Sequence, residues 1–238
     1  MTEQQGRLKD RIAVVTGASR GIGRAVAERF AAEGATVVAV ARTQGALEEL
    51  DDAITAAGGP APVLVPLDLR DFDALDRLGG SLFERYQKLD ILVGNAGVLG
   101  QLSPMSHIPP ETWAEVMDVN ATANFRLIRS LDPLLRQSDA GRAIFTTSGV
   151  ARSPFAYFGA YAASKAALEH TVKVWAAELH KTHIKANLLD PGVVRTRMRA
   201  HAYPGEDPTQ HPEPAAITGR FVELAEPACK HHGEVVHV

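Results

Sequence analysis

Tyr161 and Lys165 stand four residues apart in the segment Tyr161-Ala162-Ala163-Ser164-Lys165-Ala166-Ala167-Leu168, whose residues favour a helix. Positions i and i+4 share one helix face, so an ammonium comes within reach of a phenol. Thirteen residues before Tyr161, Ser148 follows Arg142-Ala143-Ile144-Phe145-Thr146-Thr147, an apolar run that reads as a buried strand. A hydroxyl at the C-terminal end of a strand, facing a helix that carries Tyr and Lys, can polarise a carbonyl and hand it a proton.

Such a site needs a frame, and the rest of the chain spells one out. Ile12-Ala13-Val14-Val15-Thr16 reads as a buried parallel strand. It leads into Gly17-Ala18-Ser19-Arg20-Gly21-Ile22-Gly23, then an amphipathic helix through Phe30 closed near Gly34, then a strand over 36–41. This βαβ unit repeats with helices over about 44–57 and 72–86 and strands over 63–67 and 91–93. A long helical region follows from Glu111 to about Arg136, with a kink expected at Pro133. The Tyr161 helix should extend to about His180, followed by a strand over 184–189, a helix near 215–224 and a last strand over 234–238. The alternation predicts an α/β fold: a three-layer, doubly wound parallel sheet of about seven strands, of the Rossmann kind. Residues 1–238 read as one domain, and the irregular stretch 193–214, rich in Arg, Pro and Gly, as a mobile flap.

In such sheets ligands sit beyond the carboxyl ends of the strands. Gly17–Gly23, Asp68, Asn95–Gly97, Ser148 and Pro191-Gly192 all fall at predicted strand ends and so converge on one rim. The spacing Gly17-x-x-x-Gly21-x-Gly23 departs from G-x-G-x-x-G, yet glycines still permit a tight turn, and the helix N-terminus attracts a pyrophosphate. NAD-selective sites place an acid at the end of the second strand to hold the adenosine ribose. Here that strand ends Val40-Ala41-Arg42-Thr43, and Arg20 lies in the glycine turn. Two guanidiniums without a carboxylate suit a ribose 2′-phosphate, which favours NADP(H) over NAD(H).

Composition sets bounds on everything else. A net charge of −3 leaves no basic footprint for nucleic acid. No apolar run reaches the roughly 20 residues that span a bilayer, and the opening MTEQQGRLKDR lacks the apolar centre of a signal peptide. The single Cys229 excludes an internal disulfide, in keeping with a cytoplasmic protein. The nine His lack the framework of a metal site, so no metal is expected.

Taken together, Thr16-Gly17-x-x-x-Gly21-x-Gly23, Asp68-Leu69, Asn95-Ala96-Gly97, Asn120, Ser148, Tyr161-x-x-x-Lys165 and Pro191-Gly192 resemble the short-chain dehydrogenase/reductase family, single-domain branch, in order and over essentially the whole chain. The stretches 138–141, 159–165 and 195–199 further resemble its YciK-like bacterial oxidoreductases. The resemblance implies that Tyr161 is the general acid in carbonyl reduction and the base in reverse. Operation near neutrality then asks for a phenol pKa about 3 units below its ordinary value of about 10, roughly 4 kcal/mol, supplied by Lys165 and an oxidised nicotinamide. It also implies that Ser148 bonds the substrate oxygen and that Lys165 holds the nicotinamide ribose. Asn120 would anchor a water that passes protons to Lys165.

The cofactor is expected against Gly17, Ser19, Arg20, Gly21, Ile22, Gly23 and Arg42, with Asp68 and Leu69 at the adenine and Asn95, Ala96 and Gly97 along the adenosine. Tyr161, Lys165, Pro191, Gly192, Val194 and Thr196 would surround the nicotinamide. Gly94 stands where many relatives carry another Asn. The Tyr161 helix would pack against its counterpart in a homodimer or homotetramer.

The substrate is a small carbonyl or alcohol. Phe155, Tyr157, Phe158, Leu99, Leu102, Met198 and Tyr203 could form an apolar wall, and Arg195, Arg197 and Arg199 could attract an anion or form a solvated face. Asp190 could be a surface acid or could bias substrate charge. Two other readings keep the fold: epimerisation or dehydration with tightly held cofactor, and a non-catalytic NADP-sensing protein.

Overall fold

The strands alternate their side chains between two cores. In β1 (Ile12–Thr16), Ala13 and Val15 enter one core and Val14 the other; in β2 (Thr36–Ala41), Val37, Ala39 and Ala41 part from Val38 and Val40 in the same way. This is a computed structural model, and it describes residues 6–238; residues 1–5 of the polar opening lie outside the described residues. β3 (Val63–Pro66), β4 (Ile91–Gly94), β5 (Arg142–Thr146), β6 (Lys185–Asp190) and β7 (Val235–His237) complete seven parallel strands in the order β3-β2-β1-β4-β5-β6-β7.

Helices α1 (Gly21–Ala32), α2 (Gln44–Ala56) and α8 (Thr218–Ala225) cover one face through Phe30, Leu50 and Phe221. Helices α3 (Phe72–Tyr86), α5 (Ala123–Leu135) and α6 (Gly159–Glu178) cover the other through Leu75, Leu131 and Leu168. The three-layer expectation holds. No helix among the described residues is long and apolar enough to cross a membrane.

The chain winds outward from β1 to β3, then returns to place β4 on the other side of β1. This reversal opens a crevice beyond the carboxyl ends of β1 and β4, where doubly wound sheets receive their ligands. Gly94 closes the floor behind it. A Cβ there would stand 2.4 Å from Phe145 Cδ1 and 2.5 Å from Asn124 Oδ1, which accounts for the missing side chain.

The long helix after β4 differs from expectation. It is α-helical over α4 (Pro110–Met117), π-helical over Asp118–Thr122 and α-helical again through α5, which runs past Pro133 to Leu135. The irregular turn is at Asn120. Pro133 lies in the final turns, where a lost hydrogen bond perturbs little. Within 193–214, a short helix, α7 (Arg197–Ala202), interrupts otherwise irregular chain.

Candidate active site

The glycine turn folds tightly enough to form a cradle. Gly17 and Gly21 have φ of 68° and 57°, a region costly for residues with a Cβ. The Gly17 and Ala18 amides both bond the Val40 carbonyl, at 2.9 and 3.2 Å, so the end of β2 and Arg42 adjoin the turn. A Cβ on Gly23 would lie 2.3 Å from the Gly17 carbonyl oxygen and 2.5 Å from Asn95 Nδ2. Arg20 and Arg42 are exposed, α1 has no acid in its first turn, and Arg20 gives its N-terminus no side-chain cap. Free amides, two cations and a closely approachable backbone fit a dinucleotide phosphate.

Asp68 is half-buried and accepts three bonds from Arg70: its amide at 3.0 Å, Nε at 3.3 Å and Nη2 at 2.9 Å. Arg70 above all, with Arg42 adding to it, holds the carboxyl below its ordinary range. A carboxylate offers about four acceptor positions, so one remains for an adenine amino group. Leu69 beside it is buried.

Thr16 organises the β4 end. Its Oγ1 accepts the Asn95 and Ala96 amides at 3.0 and 3.1 Å, while Asn95 Nδ2 donates to the Thr16 carbonyl at 3.1 Å. One step on, Asn120 Oδ1 accepts the Val98 amide at 2.8 Å, and its Nδ2 donates to Val98 O at 2.9 Å and Ser164 Oγ at 3.0 Å. Both donors of the Asn120 amide are thereby used. Any water it anchors must use its remaining acceptor positions, which narrows the expected role. A Cβ on Gly97 would meet Asn120 Oδ1 at 3.3 Å and Lys165 Nζ at 3.6 Å, so Asn95–Gly97, Asn120 and Lys165 line one wall.

Lys165 is 3% exposed and donates to the Thr146 carbonyl at 2.8 Å; its Nζ lies 5.9 Å from the Tyr161 ring centre. Burial pushes this ammonium down to about 8, against the opposing pull of Glu169. Tyr161 is buried too, and its phenol is pushed up to about 12 by burial, with Ser148 working the other way and the Asp190 charge adding to the rise. Desolvation thus outweighs the Ser148 hydrogen bond, which alone favours the phenolate. Ser148 itself is half-buried, two residues beyond the end of β5, where the neighbouring Thr147 amide still bonds Leu189 O at 2.8 Å.

Serine, tyrosine, lysine and asparagine thus gather at the mouth of the glycine cradle. The model of the short chain dehydrogenases matches residues 11–207. The chain belongs to the short-chain dehydrogenase family. It is 42% identical over 223 residues to the oxidoreductase YciK of Escherichia coli (strain K12), covering 93% of this chain and 88% of that one. A crystal structure of a short chain dehydrogenase from Escherichia coli CFT073, complexed with NADPH, superposes with a TM-score of 0.94 at 39% identity, covering 98% of each chain. One from Shigella flexneri 2a, complexed with NADP, gives 0.94 and 39%, covering 98% of this chain and 99% of that one. The YciK-like resemblance is borne out, and the chain is an NAD(P)-dependent oxidoreductase by membership.

In this short-chain dehydrogenase the turn after β6 approaches the glycine cradle: a Cβ on Gly21 would touch Thr196 Cγ2 at 3.7 Å. Val194, expected to touch cofactor, buries its side chain in the core with residues of α1 and α8. Asp190 is not a surface acid. It is 6% exposed, paired with Arg152, and its Oδ1 accepts the Gly192 amide at 3.1 Å, fixing Pro191-Gly192 with Gly192 at φ 63°.

Sequence reading passed over Arg152 and Glu169 altogether. Glu169 stands four residues after Lys165, the spacing that could have drawn attention to it. On the substrate side, the Phe155, Phe158 and Tyr203 rings form a chain with centres 6.4 and 6.2 Å apart. Across from α7, Leu102, Thr112 and Glu115 share an open cavity of about 560 Å³ with His201 and Ala202. Arg195 is paired with Glu213, and Arg199 with Glu206 while stacking 3.8 Å over the Tyr203 ring. Two of the three arginines at 195, 197 and 199 are thus engaged within 193–214.

Proposed function

We propose that the chain is an NADP(H)-dependent carbonyl reductase or alcohol dehydrogenase, with Tyr161 as its general acid and base. The observation that carries this reading is the junction of Ser148, Tyr161, Lys165 and Asn120 with the glycine cradle on one sheet edge. When bound, the nicotinamide supplies or accepts the hydride. Ser148 donates to the substrate oxygen, a preorganised bond typically worth about 3–4 kcal/mol in such sites. The high ligand-free pKa of Tyr161 keeps its proton in place until an oxyanion develops beside it, as a general acid for reduction requires. Lys165, held by Thr146, grips the nicotinamide ribose. The exposed Arg20 and Arg42, with no acid closing β2, support the 2′-phosphate form of the cofactor, as do the ligands of the two crystallised relatives.

Phe155, Phe158 and Tyr203 fit a small substrate with a flat apolar portion. The protein acts as a cytoplasmic homo-oligomer of single-domain subunits, with 193–214 as the flap that closes over the substrate.

The test is a panel of ketones, aldehydes, quinones, oxoacyl thioesters and sugars, run with NADPH and NADH on wild type and Tyr161→Phe. We expect a preference for NADPH, stoichiometric NADP+ formed with product, and a loss of about 10²–10⁴-fold in turnover for the variant with NADPH binding retained. Turnover by Tyr161→Phe within a few-fold of wild type would sink the assignment. Product formed without net NADP+ would favour epimerisation or dehydration.

A further inference from the structure

Arg152 closes the short 3₁₀ turn, Gly149–Ala151, that follows Ser148. Its two terminal nitrogens divide between two carboxylates: Nη1 bonds Glu169 Oε1 and Nη2 bonds Asp190 Oδ2. Glu169 and Asp190 are 5% and 6% exposed, so each would be costly without a partner. Each also holds a piece of the site. Glu169, one helical turn beyond Lys165, accepts the Thr147 hydroxyl at 2.8 Å, fixing the residue before Ser148. Asp190 accepts the Gly192 amide and shapes the Pro191-Gly192 turn.

One guanidinium therefore ties together the end of β5, the middle of α6 and the end of β6. The other charged groups here are Lys173, 3.4 Å from Glu169 Oε2, and His237, 3.7 Å from Asp190 Oδ2. Both side chains are more exposed than that of Arg152, at 42% and 64% against 32%, and neither bridges the two acids. Tyr161 faces Ser148, Lys165 and the Asp190 charge.

We propose that Arg152 is a positioning residue of this active site, holding the Ser148 and Pro191-Gly192 turns in place through its two carboxylates. The proposal rests on Tyr161 being the acid/base. Loss of the guanidinium leaves Asp190 as an uncompensated charge near Tyr161, which favours the neutral phenol. It also frees the turn that would cover the nicotinamide.

The experiment compares wild type, Arg152→Ala, Arg152→Lys and Arg152→Ala/Asp190→Asn, each with and without Tyr161→Phe, as full-length protein. Tyr161 ionisation is read in the NADP+-saturated enzyme as the near-ultraviolet difference from the matching Tyr161→Phe form. NADPH affinity is read by fluorescence, turnover with phenanthrenequinone, and folding by circular dichroism. For Arg152→Ala we expect ionisation to shift upward by about one pH unit, with several-fold weaker NADPH binding. Adding Asp190→Asn should return the ionisation to its wild-type position. Arg152→Lys should keep the ionisation in place while losing affinity, since an ammonium cannot span both acids as the fork does; this arm decides the matter if the alanine variant fails to fold.

A folded Arg152→Ala that titrates and binds NADPH as wild type does would overturn the inference, as would an Arg152→Lys indistinguishable from wild type in both readouts where the alanine form is unfolded. The Tyr161 reading fails separately, if Tyr161→Phe alone turns over the quinone at the wild-type rate.

Discussion

Lys165 illustrates how a residue's chemistry depends on neighbours remote in sequence. Its ammonium is held at about 8 by burial, whereas in an unfolded chain it titrates near 10.4. Between these values the unfolded chain binds a proton that the native protein has released, so stability rises with pH across that window. Below about pH 8 the buried charge is a standing cost. Relative to Lys165→Met, the ligand-free wild type should therefore gain about 2 kcal/mol from pH 7 to pH 9.5, measured by chemical denaturation at the two values. Parallel behaviour of the two proteins would mean that Lys165 keeps an ordinary pKa. The spacing of Tyr161 and Lys165 was plain in the sequence, as was the hydroxyl before them. The direction of their titration was not, since it follows from a burial to which the distant loop at Gly97 contributes.

At the scale of the element, hydrophobic period and punctuation carried most of the information. β1, β2 and α3 fall at the residues expected, the other strands and α1, α2, α6 and α8 differ by only a few residues at their ends, and α7 was not foreseen. Two things stayed hidden in local pattern. The π turn at Asp118–Thr122 arises from bonds to Val98 and Ser164, partners that no window around Asn120 contains. The Arg152 bridge joins residues 17 and 38 positions away. The glycine turn, by contrast, was readable because its three glycines lie within seven residues, although Val40 and Asn95, which press on it, do not. Its tightness gives a prediction: Gly23→Ala forces a Cβ into the Gly17 carbonyl and Asn95. The variant should lose about 1–3 kcal/mol of stability and most of its affinity for NADPH, read by thermal melting and fluorescence titration. Wild-type affinity in the variant would show that the cradle yields more readily than its geometry indicates.

At the scale of the molecule, the outer faces of α5 and α6 carry exposed apolar side chains, Phe125 at 50% and Val174 at 47%, and Trp113 on α4 is 37% exposed. Such residues on neighbouring helices suit a contact between subunits. Phe125→Glu combined with Val174→Glu should lower the solution mass of the protein towards the monomer by light scattering, with circular dichroism unchanged; an unaltered mass would place the contact elsewhere. The π turn adjoins this face. It holds one residue more than a regular turn would, and Phe125 lies just beyond it. Deleting a single residue there, Ala121 for example, would restore an unbroken α-helix without turning α5 relative to α4, because the wider turn already absorbs the extra residue. Leu127 and Leu131 would stay in the core and Phe125 outside it, while Asn120 would lose the local backbone from which it reaches Val98 and Ser164. The extra residue thus leaves the core and the outer face as a regular helix would have them and alters only the turn that carries Asn120 into the site.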